Sequence, residues 1–112
     1  MCGIAGYFNL DKQPIPDTNS IIRMLKLQRH RGPDDSGIRA FSLKSGASVE
    51  LETDETVNVP GKYEGVLGFN RLSILDLSLN GHQPMVSPEG NVILALNGEI
   101  YNAFDYANEL ER

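Results

Sequence analysis

Apolar and polar residues change rhythm several times along this chain, and each change marks an element. Ile4 to Asn9 is short and largely apolar, which predicts a buried strand. Gln13 to Asp17, broken by Pro14 and Pro16, reads as a loop. Asp17 to Ser20 then offer several N-caps to a helical stripe of Ile21, Ile22, Leu25 and Gln28, with Met24 between them. Arg29, His30 and Arg31 fall in the expected last turn of that helix, and Gly32-Pro33 stops it.

Three further strands are expected over Gly37–Leu43, Ala47–Glu52 and Glu64–Leu72, with turns at Lys44-Ser45-Gly46 and at Pro60-Gly61. The acidic stretch from Glu50 to Glu55 reads as a solvated hairpin tip, and Ser78 to Glu89 as a polar loop. Val92 to Leu96 is apolar at every position, which predicts a central strand. After the Asn97-Gly98 turn, Asn102 is placed to cap a last helix through Leu110. That helix would have about two turns, and little sequence follows to cover the sheet.

Composition narrows the class. With 112 residues, 40 % of them hydrophobic, the chain can bury one modest core. A net charge of −5 without a Lys/Arg run argues against nucleic acid or an anionic membrane as partner. No apolar stretch approaches the ~20 residues that span a bilayer, and no charged-then-apolar leader precedes the first strand. A single cysteine cannot close an internal disulfide, which fits a reducing cytoplasm. His30 and His82 stand far apart without Cys or His at ligand spacing, so no metal site is expected.

That cysteine, Cys2, directly follows Met1. Removal of Met1 would place a thiol and a free α-amine on one residue, titrating near ~8.5 and ~7.7–8.0 respectively. Such a terminus carries its own base beside its own nucleophile. The alternative is a small buried residue without chemistry.

Three other blocks bear on that choice. Arg29 to Asp35 (Arg-His-Arg-Gly-Pro-Asp-Asp) is explained by cations ending a helix before a proline turn. Arg71 lies on an otherwise apolar strand, where a guanidinium is costly unless an anion meets it. It is either a bidentate clamp for a small carboxylic acid or the partner of Asp76 or another internal acid. Asn97-Gly98 is either a hairpin turn or an oxyanion hole, each of whose donors contributes about 2.7–4 kcal/mol. Glu99 beside it would hold an ammonium group. A thiol nucleophile, an oxyanion hole, a carboxylate clamp and an ammonium acceptor together describe a site for glutamine, hydrolysed through a thioester with release of ammonia.

These blocks resemble the N-terminal glutaminase domain of glutamine-dependent asparagine synthetases, which are class II (N-terminal nucleophile) amidotransferases. The matching stretches are Met1–Gly6, Arg29–Asp35, Arg71–Asp76, Gly81–Met85 and Asn97–Asn102, spread over nearly the whole chain. The resemblance implies an α+β fold, the Ntn-hydrolase αββα sandwich of antiparallel sheets, here expected to be truncated on its C-terminal side. It implies Cys2 as nucleophile, Asn97 and Gly98 as oxyanion hole, Arg71 on the glutamine carboxylate and Glu99 on its amino group. Backbone around Leu72 and Ile74 would line the pocket, with residues 29–35 a structural loop nearby and His82 a loop residue.

Residues 1–112 are then the front portion of a type-2 glutamine amidotransferase domain, without the ATP-dependent synthetase domain. The partners expected are glutamine, that C-terminal synthetase domain and, as an option, a second copy in a homodimer. No cofactor is expected here; ATP and magnesium belong to the synthetase domain. Two other functions stay open: a non-catalytic fragment binding glutamine or a partner chain, and a glutaminase domain serving another acceptor. Hydrolysis of a different amide is disfavoured by the Arg71 and Glu99 pair, which fits a free α-amino acid.

Overall fold

The computed structural model describes residues 1–111. Four strands, β1 (Gly3–Phe8), β2 (Asp35–Phe41), β3 (Ser48–Leu51) and β4 (Gly65–Arg71), form one antiparallel sheet in the order β1-β4-β2-β3. A helix, α1 (Asn19–Leu27), covers one face, and a two-stranded antiparallel ribbon, β5 (Met85–Val86) with β6 (Ile93–Leu94), forms a second, smaller sheet. The chain is an α+β protein built on antiparallel sheets.

Alternation along the strands decides which face is core. Ala5 and Tyr7 of β1, Ile38 and Ala40 of β2, Val49 and Leu51 of β3 and Val66 of β4 share one hydrophobic cluster with Ile21, Ile22 and Leu25 of α1. Ile15, Val59 and Tyr63 close it from the flanking loops. Each fully buried Ile in this cluster contributes about 1.5–3 kcal/mol. Gly68 sits beneath the helix, where an added Cβ would lie 3.1 Å from the side chains of both Ile21 and Leu25. A bare backbone there lets α1 approach the sheet.

Two polar groups tie the loops to this core. Thr18, at the N-terminus of α1, spends its hydroxyl on the Val57 N–H at 2.8 Å rather than on capping the helix. The buried Glu64 carboxylate accepts from the Leu43 N–H at 2.7 Å and the Ser42 hydroxyl at 3.2 Å. Burial opposes its ionisation, but the donors from Leu43, Ser42 and Lys44 outweigh that and hold its pKa below the ordinary value.

The first four predicted strands stand within two residues of expectation. Helix α1 ends at Leu27, and Arg29–Arg31, expected as its last turn, form a separate 3-10 turn. The region after Asp76 departs further. Val92 to Leu96 is not a central strand: only Ile93–Leu94 is extended and paired, and Val92 is 57 % exposed. An apolar run becomes a buried strand only when neighbours cover both its faces, and here β5 is the partner on one side. The predicted last helix is a 3-10 turn, Ala103–Tyr106, followed by a single α-turn, α2 (Ala107–Leu110). Asn102 makes no side-chain cap bond, and Phe104 is 91 % exposed. The acidic tip is confined to residues 52–55, because Glu50 and Leu51 belong to β3.

Candidate active site

All seven residues singled out in the sequence line one open cavity of about 420 Å³: Cys2, Arg71, Leu72, Ile74, Asn97, Gly98 and Glu99. Met1 lines it as well and is 74 % exposed. The fold brings them together simply. Cys2 leads into β1, Arg71 ends β4, and β1 pairs antiparallel with β4 so that Gly3 lies opposite Asn70. The thiol therefore lies beside the chain that leaves β4.

The Leu72 N–H points at the Cys2 sulfur at 3.3 Å, the orientation in which a thiolate is held. The thiol proton in turn has the Leu72 carbonyl at 3.8 Å. The Cys2 carbonyl accepts two hydrogen bonds, from Arg31 Nε and from the Asn97 side-chain amide, both at 3.1 Å. Asn97 is thus anchored on the nucleophile's own residue. The Gly98 N–H makes no hydrogen bond among the described residues. Glu99 is exposed and has no cationic partner among them.

Arg71 is 8 % exposed, and its guanidinium donates to main-chain carbonyls, Ser78 at 2.6 Å and Asp76. Gly81 packs directly on it; a Cβ there would lie 2.8 Å from Nε and closer still to the terminal nitrogen. The Asp76 carboxylate is turned away, accepting the Ser78 N–H at 2.8 Å. Hydrogen bonds from Ser78, with the Arg71 charge adding to them, hold Asp76 below the ordinary carboxylate pKa. No carboxylate is in ion-pair contact with Arg71 among the described residues, although its charge reaches Asp76, and this largely buried cation lines the cavity.

The Arg29–Asp35 block is a loop packed under the site. Its first three residues form a 3-10 turn, and Arg31 reaches the Cys2 carbonyl. Gly32 lies against the Asn70–Arg71 backbone, where a Cβ would meet the Arg71 carbonyl carbon at 2.7 Å. Asp34 accepts the Ser73 N–H at 2.8 Å and fixes the exit from β4.

His82 stands in the loop before β5 and does not line the cavity. Its two ring nitrogens meet Asp35 and Glu50, each at 2.6 Å. Desolvation works against its charge, but the hydrogen bonds and charges of the two carboxylates win and raise its pKa above the ordinary value. Arg31 and Gln83 were not singled out individually from the sequence. Both act over long sequence separations, which no local spacing reveals.

A sequence profile of the glutamine amidotransferase domain matches residues 54–112. The chain belongs to that family. The matched segment holds six of the seven residues above, all but Cys2. A provisionally named glutamine-hydrolysing asparagine synthetase of Methanocaldococcus jannaschii is 35 % identical over 116 residues, covering 91 % of this chain and 19 % of its own length. Asparagine synthetase B of Escherichia coli is 32 % identical over 102 residues, covering 91 % of this chain and 14 % of its own. Asparagine synthetase 3 of Bacillus subtilis is 31 % identical over 112 residues, covering 98 % and 15 %. The chain thus spans less than a fifth of the length of these relatives. No solved structure matches it.

The expected amidotransferase family and the α+β fold are therefore both met. Among the described residues no helix is long and apolar enough to cross a membrane, and no cluster of His, Cys, Asp and Glu is placed to hold a metal ion.

Proposed function

We propose that this chain is the glutamine-binding and hydrolysing part of an asparagine synthetase-type amidotransferase, acting in the cytoplasm. The observation that carries the reading is Arg71: a largely buried guanidinium without a carboxylate partner, lining the same cavity as Cys2 and Glu99. The guanidinium rests on the Ser78 and Asp76 carbonyls without a carboxylate in ion-pair contact, and a substrate carboxylate would supply one in a planar, bidentate form. The exposed Glu99 carboxylate in the same cavity offers the complementary partner for an α-ammonium. Between them a glutamine side chain would reach toward Cys2.

In this reading Met1 is removed, and the free α-amine of Cys2 takes the thiol proton. The sulfur attacks the side-chain amide carbon, and the C=O electron pair moves to oxygen. The Asn97 amide and the Gly98 N–H meet that oxygen. Collapse of the intermediate breaks the C–N bond, and the protonated amine delivers its proton to the departing nitrogen as ammonia leaves. Water then attacks the thioester in the same hole, releasing glutamate and restoring the thiol. Asn97 would leave the Cys2 carbonyl or share its second N–H to do this.

In the whole protein the ammonia would pass to a synthetase domain that uses ATP and magnesium to activate the acceptor, with a homodimer as the expected assembly. The choice of acceptor rests on residues outside this chain. The test is selectivity: glutamate release from glutamine is expected, and release from glutamine α-amide is expected to be much slower. Equal rates on both would overturn the carboxylate clamp. Tight binding of glutamine without turnover would favour a non-catalytic glutamine-binding module.

A further inference from the structure

The segment that carries Asn97, Gly98 and Glu99 has almost no main-chain support of its own. Strand β6 ends at Leu94, and the next main-chain bond closes the turn at Ile100–Ala103. Among the described residues the backbone of 95–99 is held by two hydrogen bonds, and both go to one side chain. The Leu96 N–H donates to Gln83 Oε1 at 2.7 Å, and Gln83 Nε2 donates to the Leu96 carbonyl at 3.3 Å. The side-chain amide of Gln83 takes the place of a neighbouring strand for a single residue.

Gln83 is itself fixed. On one side, its neighbour His82 bridges Asp35 on β2 and Glu50 on β3. On the other, its carbonyl rests on Gly37 of β2, where a Cβ would collide with it and meet its carbonyl carbon at 3.0 Å. The side chain lines the cavity, yet both ends of its amide are spent on Leu96.

We infer that Gln83 is a positioning residue: it registers the 95–99 segment against the main sheet and thereby sets Asn97 and Gly98 opposite Cys2. Its part in hydrolysis rests on the glutaminase reading above; its hold on the segment does not. An oxyanion donor works only when its position is fixed before charge develops, and a displacement of about 1 Å costs on the order of 10²-fold in rate.

The test uses the full chain with Gln83→Leu, which removes both hydrogen bonds, and Gln83→Glu, which keeps an acceptor for the Leu96 N–H. Hydrogen exchange in Gln83→Leu is expected to accelerate at the Leu96 amide, the one N–H of residues 95–99 that is hydrogen-bonded among the described residues, while β1 and β4 keep their protection. Glutamine turnover is expected to lose about 10–100-fold in kcat, with a much smaller rise in KM because Arg71 still holds the carboxylate. Gln83→Glu is expected to recover part of both effects. Unchanged exchange at Leu96, protection lost equally in β1 and β4, or a raised KM with unchanged kcat would each overturn the proposal. A wild-type chain without glutaminase activity would overturn the reaction assigned above, and the exchange comparison would still decide the role of Gln83.

Discussion

Replacing Gly81 by alanine puts one methyl group where the Arg71 guanidinium now lies. The added Cβ would be 2.8 Å from Nε and nearer to the terminal nitrogen, so one of the two must move. Gly81 is not among the glycines with positive φ, and alanine therefore adopts its backbone without strain. The clashing atoms are the far end of a long side chain, so relief comes from swinging the guanidinium off the Ser78 and Asp76 carbonyls. Both bonds are made by a charged group, so stability should fall by about 1.5–3 kcal/mol, reduced by what the guanidinium regains from water. Glutamine binding should suffer as well. A hydrogen bond to a charged group contributes about 1.5–3 kcal/mol, which corresponds to a KM raised roughly 10- to 150-fold. The clamp acts on the ground state and the transition state alike, so kcat should change little. Steady-state glutamine hydrolysis beside a thermal melt would measure both. An unchanged KM in a folded Gly81→Ala protein would refute the assignment of Arg71 as the carboxylate clamp.

Three further outcomes follow from the same geometry. Asn97→Ala removes one oxyanion donor and an anchor on the Cys2 carbonyl, so kcat should drop about 10²–10³-fold with Cys2 still open to alkylation by iodoacetamide. Gly37→Ala meets the backbone of Gln83 rather than a flexible side-chain end, and should cost about 1–3 kcal/mol in denaturant unfolding. His82 has a folded pKa raised above its ordinary value of 6.5 by Asp35 and Glu50, against the effect of desolvation. Its stabilising contribution is therefore complete below that unfolded value and is lost as pH rises through the folded pKa. His82→Gln should flatten that part of the stability profile; an identical profile in the variant would refute the bridge.

The main sheet and α1 were legible because their signals are local. Short strand-forming runs bounded by turn residues mark 37–43 and 64–72, and Gly32-Pro33 ends the helical stretch whatever surrounds it. The C-terminal third was misread because its signal is conditional. Val92 to Leu96 has strand character, yet becomes a central strand only between partners, and beside β5 it pairs at two residues. The Asn102–Leu110 stretch has a capping residue but no apolar face with something to bury against, and it breaks into short turns with Phe104 91 % exposed. At the site, residue types were readable and geometry was not. Arg71 allowed an internal acid as easily as a ligand, and the structure turns Asp76 away from it. Arg31 and Gln83 carry no spacing signal, since their partners Cys2 and Leu96 lie 29 and 13 residues away.

The central claim is that Cys2 is a processed, activated nucleophile facing a glutamine pocket, and intact mass measured with and without 6-diazo-5-oxo-L-norleucine tests it most directly. This glutamine mimic alkylates an activated thiol, and seating of its carboxylate and amine in a glutamine pocket speeds that reaction. The account predicts a chain lacking Met1 that gains a single adduct on Cys2, with adduct formation suppressed by excess glutamine and abolished in Arg71→Ala. A chain lacking Met1 that gains no adduct, or gains one at the same rate in Arg71→Ala, would contradict it.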